Sequence, residues 1–189
     1  LKFDLHVPAS MRERAELLRH DLGINRPIFM AGSTRIGEER IVLRAFAQIR
    51  NEMPGALLII APRHPERFEE VAELCREFKF LFVRHSHRIS RTPEVDVYLV
   101  DTIGELPQFY AASDVAFVGG SLLPFGGHNV LEPASMGTPV LVGPHTYNFS
   151  EICQLLEQAG ALRVATDDRS LAEFVLSWLA DSNGRDKAG

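Results

Sequence analysis

Short, uninterrupted apolar runs take turns with longer stretches in which apolar residues recur every three or four positions, and the rhythm carries through most of the 189-residue chain. The runs PIFMA (27–31), ALLIIA (56–61), KFLFV (79–83), VDVYLVD (95–101), DVAFVGG (114–120), PVLVG (139–143) and ALRVA (161–165) predict seven strands. EERIVLRAFAQIRNE (38–52), PERFEEVAELCREF (65–78), GELPQFYAAS (104–113), HNVLEPASM (128–136), FSEICQLLEQAG (149–160) and DRSLAEFVLSWLADS (168–182) predict the helices between and after them. Strands without polar alternation are buried on both faces, which requires a mostly parallel sheet covered by helices on each side. The expected fold class is therefore α/β, a Rossmann-like doubly wound sheet. Ahead of the first strand, MRERAELLRHDLG (11–23) reads as an amphipathic helix closed by Gly23. Ser86, Ser90 and Pro93 mark a long loop, and SNGRDKAG (182–189) reads as a polar tail.

The length suits one domain with a substantial core. No apolar run approaches the roughly 20 residues of a spanning helix. A formal net charge of −5 argues against nucleic acid or anionic lipid as general partners, leaving Arg84, Arg88 and Arg91 as local anion contacts at most. Cys75 and Cys153 each sit inside a helical apolar pattern without the spacing of a redox or metal pair, so both are expected to be buried free thiols suited to a reducing compartment. The chain opens on Leu1-Lys2-Phe3-Asp4 and is expected to continue a longer protein.

In an open parallel sheet, ligands sit beyond the carboxyl ends of the strands, so the residues that follow each apolar run carry the candidate chemistry. Gly32-Ser33-Thr34 follows the first run and offers hydroxyls and backbone N–H groups to an anion, or merely caps the next helix. Pro62-Arg63-His64-Pro65 holds a fixed cation and a titratable ring beyond the second run. Ile103-Gly104-Glu105 stands at a helix start, where Glu105 doubles as an ordinary first-turn acid. Gly119-Gly120-Ser121 and Gly126-Gly127 allow close backbone approach to a ligand, and Asn129 and Glu132 fall on one face of the first turns of the following helix. A carboxylate there can accept from sugar hydroxyls, or simply complement the helix dipole. His85 and His87 lack a third metal ligand and are read as parts of a solvated loop. No G-x-G-x-x-G, P-loop or G-x-S-x-G pattern is present, which excludes the usual dinucleotide, NTPase and hydrolase signatures.

Taken together, GSTRIGEE, PRHPERF, DTIGELPQFYAASDVAFVGGSLLPFGGHNVLEP and GPHTYNF closely resemble the carboxyl-terminal half of the 3-deoxy-D-manno-octulosonic acid (Kdo) transferases of Gram-negative lipopolysaccharide assembly. The long GGS…GGHN…EP block is specific to that family, whereas its α/β surroundings are shared by glycosyltransferases of the two-domain GT-B type. The resemblance implies a lead-in segment over 1–24, a nucleotide-sugar (CMP-Kdo) binding domain over 25–182 and a tail over 183–189. It implies a CMP-Kdo donor, a lipid A precursor acceptor held by a missing amino-terminal domain, and membrane association at the cytoplasmic face of the inner membrane through the parent enzyme alone. By matching motifs, Pro62 and Arg63, Ile103, Gly104 and Glu105, and Asn129, Val130, Leu131 and Glu132 would contact CMP, with Ser33, Gly120 and Ser121 lining the groove. Lys2, in the LKFD stretch, would stabilise charge on the departing phosphate. Where many relatives have His after GST and Pro after GGHN, this chain has Arg35 and Val130.

The resemblance further implies inverting transfer without metal or cofactor, and a general base on the amino-terminal domain, so that this chain alone is expected to bind CMP without transferring Kdo. Two other readings stay open at this level. One is a different GT-B enzyme, such as a nucleotide-sugar epimerase, reusing the glycine turn and the acid. The other is a non-catalytic interaction module, in which the glycines serve only tight turns.

Overall fold

All seven apolar runs form strands, β1 (Ile28–Thr34), β2 (Leu57–Pro62), β3 (Phe82–Arg84), β4 (Val97–Leu99), β5 (Val115–Val118), β6 (Val140–Val142) and β7 (Leu162–Val164). They build one parallel sheet in the order β3-β4-β2-β1-β5-β6-β7 in a computed structural model that describes residues 7–87 and 94–181. The helices are α1 (Ala9–Leu22), α2 (Glu38–Glu52), α3 (Phe68–Glu77), α4 (Leu106–Ala111), α5 (Leu131–Ser135), α6 (Ser150–Gln158) and α7 (Asp168–Ala180). Lys2, the residues between His87 and Glu94, and the tail over 183–189 lie outside the described residues.

Burial on both faces explains the apolar runs. Phe29 and Ala31 of β1 point into a core shared with Leu58, Ile60, Phe117 and the inner sides of α2, α3 and α7. Ile28 and Met30, offset by one, point the other way onto Leu22 of α1 and Phe109 and Tyr110 of α4. Side chains alternate faces along a strand, so Ile28 to Ala31 of β1 are apolar on both faces, and the polar Ser33 and Thr34 come only at its carboxyl end. A third cluster joins Val118, Val140, Val142 and Leu162 to Val130 and to Cys153 and Leu156 of α6.

The helix expected as a lead-in is fastened to this body. Arg19 of α1 donates to Asp114 Oδ2, to the Ala112 carbonyl and to the Arg26 carbonyl, while Asp114 also accepts from the Ile28 N–H at 2.8 Å. Gly23 ends α1 at φ +110°, a conformation that costs a residue with a Cβ but not glycine. Cys75 and Cys153 are free and buried, as the sequence predicts.

Strand order reverses at β1: β2, β4 and β3 lie on one side of it, and β5, β6 and β7 on the other. At such a switch point neighbouring strand-to-helix connections leave in opposite directions and open a crevice beyond the carboxyl ends. By that rule the candidate ligand edge falls between the ends of β1 and β5. These are the Ser33–Glu38 connection and the glycine turn that begins at Gly119.

Candidate functional site

The β1 end and the glycine turn are in backbone contact. Gly119 donates its N–H to the Gly32 carbonyl at 2.8 Å. A Cβ on Gly119 would stand 2.3 Å from the Ser33 carbonyl oxygen, so only glycine fits. Ser33 takes a positive φ of 54°, unusual for a residue with a side chain, and interrupts the β1–β2 register there. It is hydrogen-bonded to the buried Tyr110 hydroxyl, whose pKa is pushed up by burial and by the nearby Glu132 carboxylate. Neither Ser33 nor Thr34 caps α2, whose N-cap is Gly37. Both are buried, and Thr34 bonds instead to Glu39 at 3.3 Å.

The glycine turn does not present all its N–H groups to a ligand, because a side chain already takes three of them. Glu38, the first residue of α2, is fully buried, and its carboxylate accepts from the N–H groups of Gly120 at 2.7 Å and of Ser121 and Leu122 at 2.9 Å. The Arg35 N–H adds a fourth bond at 2.9 Å. Ser121 has 0 % exposure; its hydroxyl donates to the Val118 carbonyl and accepts from the Gly143 N–H. Ser121 thus shapes the groove from beneath and offers it no free polar group. The far side of the turn rests on the β6–α6 loop, where Asn148 donates its N–H to the Gly126 carbonyl and His145 donates to that of Ser121.

Beyond this scaffold, basic groups converge from separate connections. Arg63 leaves the end of β2 exposed, anchored by its N–H to the Thr34 carbonyl at 2.9 Å, with Pro62 buried behind it. Arg35 leaves the end of β1 with its guanidinium 4.5 Å from the Phe125 ring centroid. His128 lies over the turn: a Cβ on Gly120, whose φ is +72°, would come within 3.0 Å of its Nε2. Burial and the positive fields of Arg63, Arg35 and His64 push the His128 pKa down to about 4. Among the described residues its buried Nε2 has no hydrogen-bond partner.

Asn129 and Glu132 lie beside this cluster. The short helix α5 begins only at Leu131, so Asn129 precedes it instead of lying within its first turn. Its Oδ1 accepts from the Leu131 N–H at 3.0 Å, and its Nδ2 reaches Glu132 Oε1 at 3.5 Å. Val130 turns its side chain into the core and can offer a ligand only backbone. Ile103, Gly104 and Glu105 occupy the same sheet edge at the end of β4, next to β2. Ile103 is 65 % exposed, and Gly104 has a φ of +85°. Glu105 accepts from Thr102 Oγ1 at 2.5 Å and Gln108 Nε2 at 3.1 Å, and its Oε2 lies 3.2 Å from His85 Nε2.

His85 corrects the solvated-loop expectation. It is 3 % exposed, bonded through Nδ1 to the Tyr98 hydroxyl at 2.7 Å and packed edge-on against Phe109. The parallel pairing of β3 with β4, which sets Val83 opposite Tyr98, carries it inside. His87 remains exposed at the surface.

This parallel strand order is that of the Rossmann-like α/β domain found in the carboxyl-terminal halves of GT-B glycosyltransferases. The C-terminal domain of a Francisella tularensis group 1 glycosyltransferase shares the fold at a TM-score of 0.63 over 96 % of this chain and 88 % of that one, at 17 % identity. A much closer likeness is the C-terminal CMP-Kdo binding domain of WaaA from Acinetobacter baumannii, at a TM-score of 0.90 and 36 % identity over 96 % of this chain and 95 % of that one. The 3-deoxy-D-manno-octulosonic acid transferase of Haemophilus influenzae is 40 % identical over 190 aligned residues, all of this chain but 44 % of that protein. No family model matches the sequence. The chain belongs to the Kdo transferase family and spans less than half the length of its curated relatives.

Proposed function

We propose that this chain is the donor half of a Kdo transferase, holding CMP-Kdo at the β1/β5 crevice while a second domain presents a lipid A precursor. The observation that carries the reading is the convergence of Arg35, Arg63, His64 and His128 beside Asn129 and Glu132, in a chain closely similar to a CMP-Kdo binding domain. Arg35 and Arg63 carry like charges around the His128 ring, whose pKa they help hold down to about 4, and the anion of a sugar nucleotide would offset them. Arg63, exposed and anchored only by its backbone, is suited to the donor phosphate. Glu132 is suited to accept from vicinal ribose hydroxyls, and the exposed Ile103–Gly104 backbone to meet the base.

As the bond from the Kdo anomeric carbon to the phosphate breaks, negative charge grows on the departing CMP. Fixed cations and donors lower the barrier by meeting that charge without reorganising. Arg63 supplies one, and Lys2 in the LKFD stretch supplies another in this reading. Attack from the face opposite the leaving group inverts the anomeric centre, with no metal in the scheme. The general base that deprotonates the acceptor hydroxyl belongs to the partner domain, so the isolated chain binds CMP and transfers nothing. Membrane association likewise belongs to the parent enzyme; among the described residues no helix is long and apolar enough to cross a membrane.

Calorimetric titration of the chain with CMP, UDP and GDP tests the donor assignment. CMP is expected to bind and the other two to bind weakly or not at all. Tight UDP binding with no heat from CMP would overturn the reading in favour of another nucleotide-sugar enzyme. Kdo transfer to a lipid A precursor by this chain alone would refute the assignment of the base to the missing half.

A further inference from the structure

We propose that His128 is a further phosphate-binding residue of this crevice and that it takes up a proton from solvent as the anion binds. The inference rests on the donor reading above and adds to it a residue and a proton.

Three features of the geometry point to it. First, the His128 ring lies against the glycine turn at the switch point, with Nε2 packed beside Gly120. Second, Nε2 is buried and has no hydrogen-bond partner among the described residues, which is uncommon for a polar atom in a folded interior. Third, the charges around it have one sign: Arg35 from the end of β1, and Arg63 and His64 from the end of β2.

The carboxylates nearby are engaged elsewhere. Glu38 beneath the turn accepts four backbone N–H groups, Glu132 lies with Asn129 and Tyr110, and Glu66 stands 3.9 Å from His64 Nδ1. The β6–α6 loop adds His145, held by its backbone to Ser121, and Tyr147, whose hydroxyl donates to the Pro124 carbonyl. Among the described residues no acid is therefore placed to charge His128 in the free domain, and an arriving anion would be.

A phosphodiester in the crevice would reverse that balance. It offsets the fields of Arg35 and Arg63 and gives Nε2 an acceptor, which favours the imidazolium with a donor on both ring nitrogens. An opposite charge at such range raises a pKa by about one to three, bringing the ring from about 4 into the range of roughly 5 to 7. The sign is then set: the bound state holds the proton more tightly, so the gain in affinity is present below the bound pKa and fades as pH rises through it.

The probe is the methyl ester of CMP, a diester that keeps one negative charge throughout the range and so contributes no titration of its own. With histidine-labelled protein, the His128 Cε1–H resonance, assigned by its loss in His128→Gln, is followed by NMR from pH 5 to 8 with and without saturating diester. The free ring is expected to stay neutral across the range and the bound ring to titrate within it. Affinity of the unsubstituted chain is expected to rise several-fold from pH 7.5 to 5.5, while that of His128→Gln stays flat. Binding with a His128 that remains neutral at pH 5 would overturn the role of this residue and leave the donor reading standing. Absence of binding at every pH would overturn both.

Discussion

Replacing Glu38 by glutamine keeps the shape of the side chain and removes the feature on which the glycine turn depends. Each carboxylate oxygen accepts two backbone N–H groups, Oε1 from Ser121 and Leu122 and Oε2 from Gly120 and Arg35. An amide can keep only one of those oxygens; its nitrogen then points two hydrogens at two N–H groups that have lost their acceptor. A buried donor left unsatisfied costs about 1–3 kcal/mol, so two of them cost roughly 2–6 kcal/mol. The Arg35 N–H is only partly buried, which places the expected loss nearer 3 kcal/mol than the upper end. For a chain of this size that corresponds to a fall in Tm of roughly 6–12 °C, out of a total stability on the order of 5–15 kcal/mol. Urea and thermal unfolding followed by circular dichroism read this directly, with Glu66→Gln as the exposed control expected within about 0.5 kcal/mol of the parent. CMP affinity of Glu38→Gln should fall as well, because the same bonds fix Gly120 beneath His128. If Glu38→Gln unfolded within about 0.5 kcal/mol of the parent, the claim that this carboxylate organises the turn would be wrong.

Two glycines outside that network separate packing from conformational freedom. Gly119→Ala drives a Cβ to 2.3 Å from the Ser33 carbonyl oxygen and 2.6 Å from Thr34 Cα, backbone that cannot step aside, and should cost at least about 1–3 kcal/mol in urea unfolding. Gly55→Ala meets nothing within 4 Å and should instead stabilise by about 0.4–1 kcal/mol; equal effects at the two sites would contradict the packing account. Arg63→Ala should leave stability within about 0.5 kcal/mol of the parent yet weaken CMP binding by roughly 10- to 100-fold, the worth of one charge-assisted hydrogen bond. Unchanged CMP affinity in calorimetry would remove Arg63 from the site. Burial pushes the Cys75 thiol up to about 12 and raises that of Cys153, so at pH 8 neither forms the reactive thiolate. Ellman's reagent should find no fast-reacting thiol in the native chain and two after unfolding in urea; a rapid native equivalent would show that one of the helices carrying them opens.

How far the molecule could be read from its residues follows from how far apart the interacting groups lie in the chain. The strands were legible because the central ones, β1, β2, β4, β5 and β6, are buried on both faces and so carry their own apolar signature, down to the three-residue β4 and β6. The crevice was legible as a place, because a parallel sheet brings the segments after β1, β2 and β5 to one edge. What each group does there was not. Glu38 reads locally as an ordinary first-turn acid, and only the approach of a turn more than eighty residues later makes it the acceptor that holds that turn. Gly120 and Ser121 read as backbone open to a ligand for the same reason, since the sequence cannot say that a distant carboxylate has already taken their N–H groups. His85 reads as loop because β3 is a short strand of half-buried residues, and its place inside depends on pairing with Tyr98 on the next strand. His128 stood in plain view between Gly127 and Asn129. The field on it comes from Arg35, Arg63 and His64, arriving on two other connections, so the charge pattern of the proposed site is a tertiary property. The consequence for related sequences is specific: a substitution at Arg35 or Arg63 should move the titration of His128 even though neither residue adjoins it in the chain, whereas one at the exposed Glu94 should not.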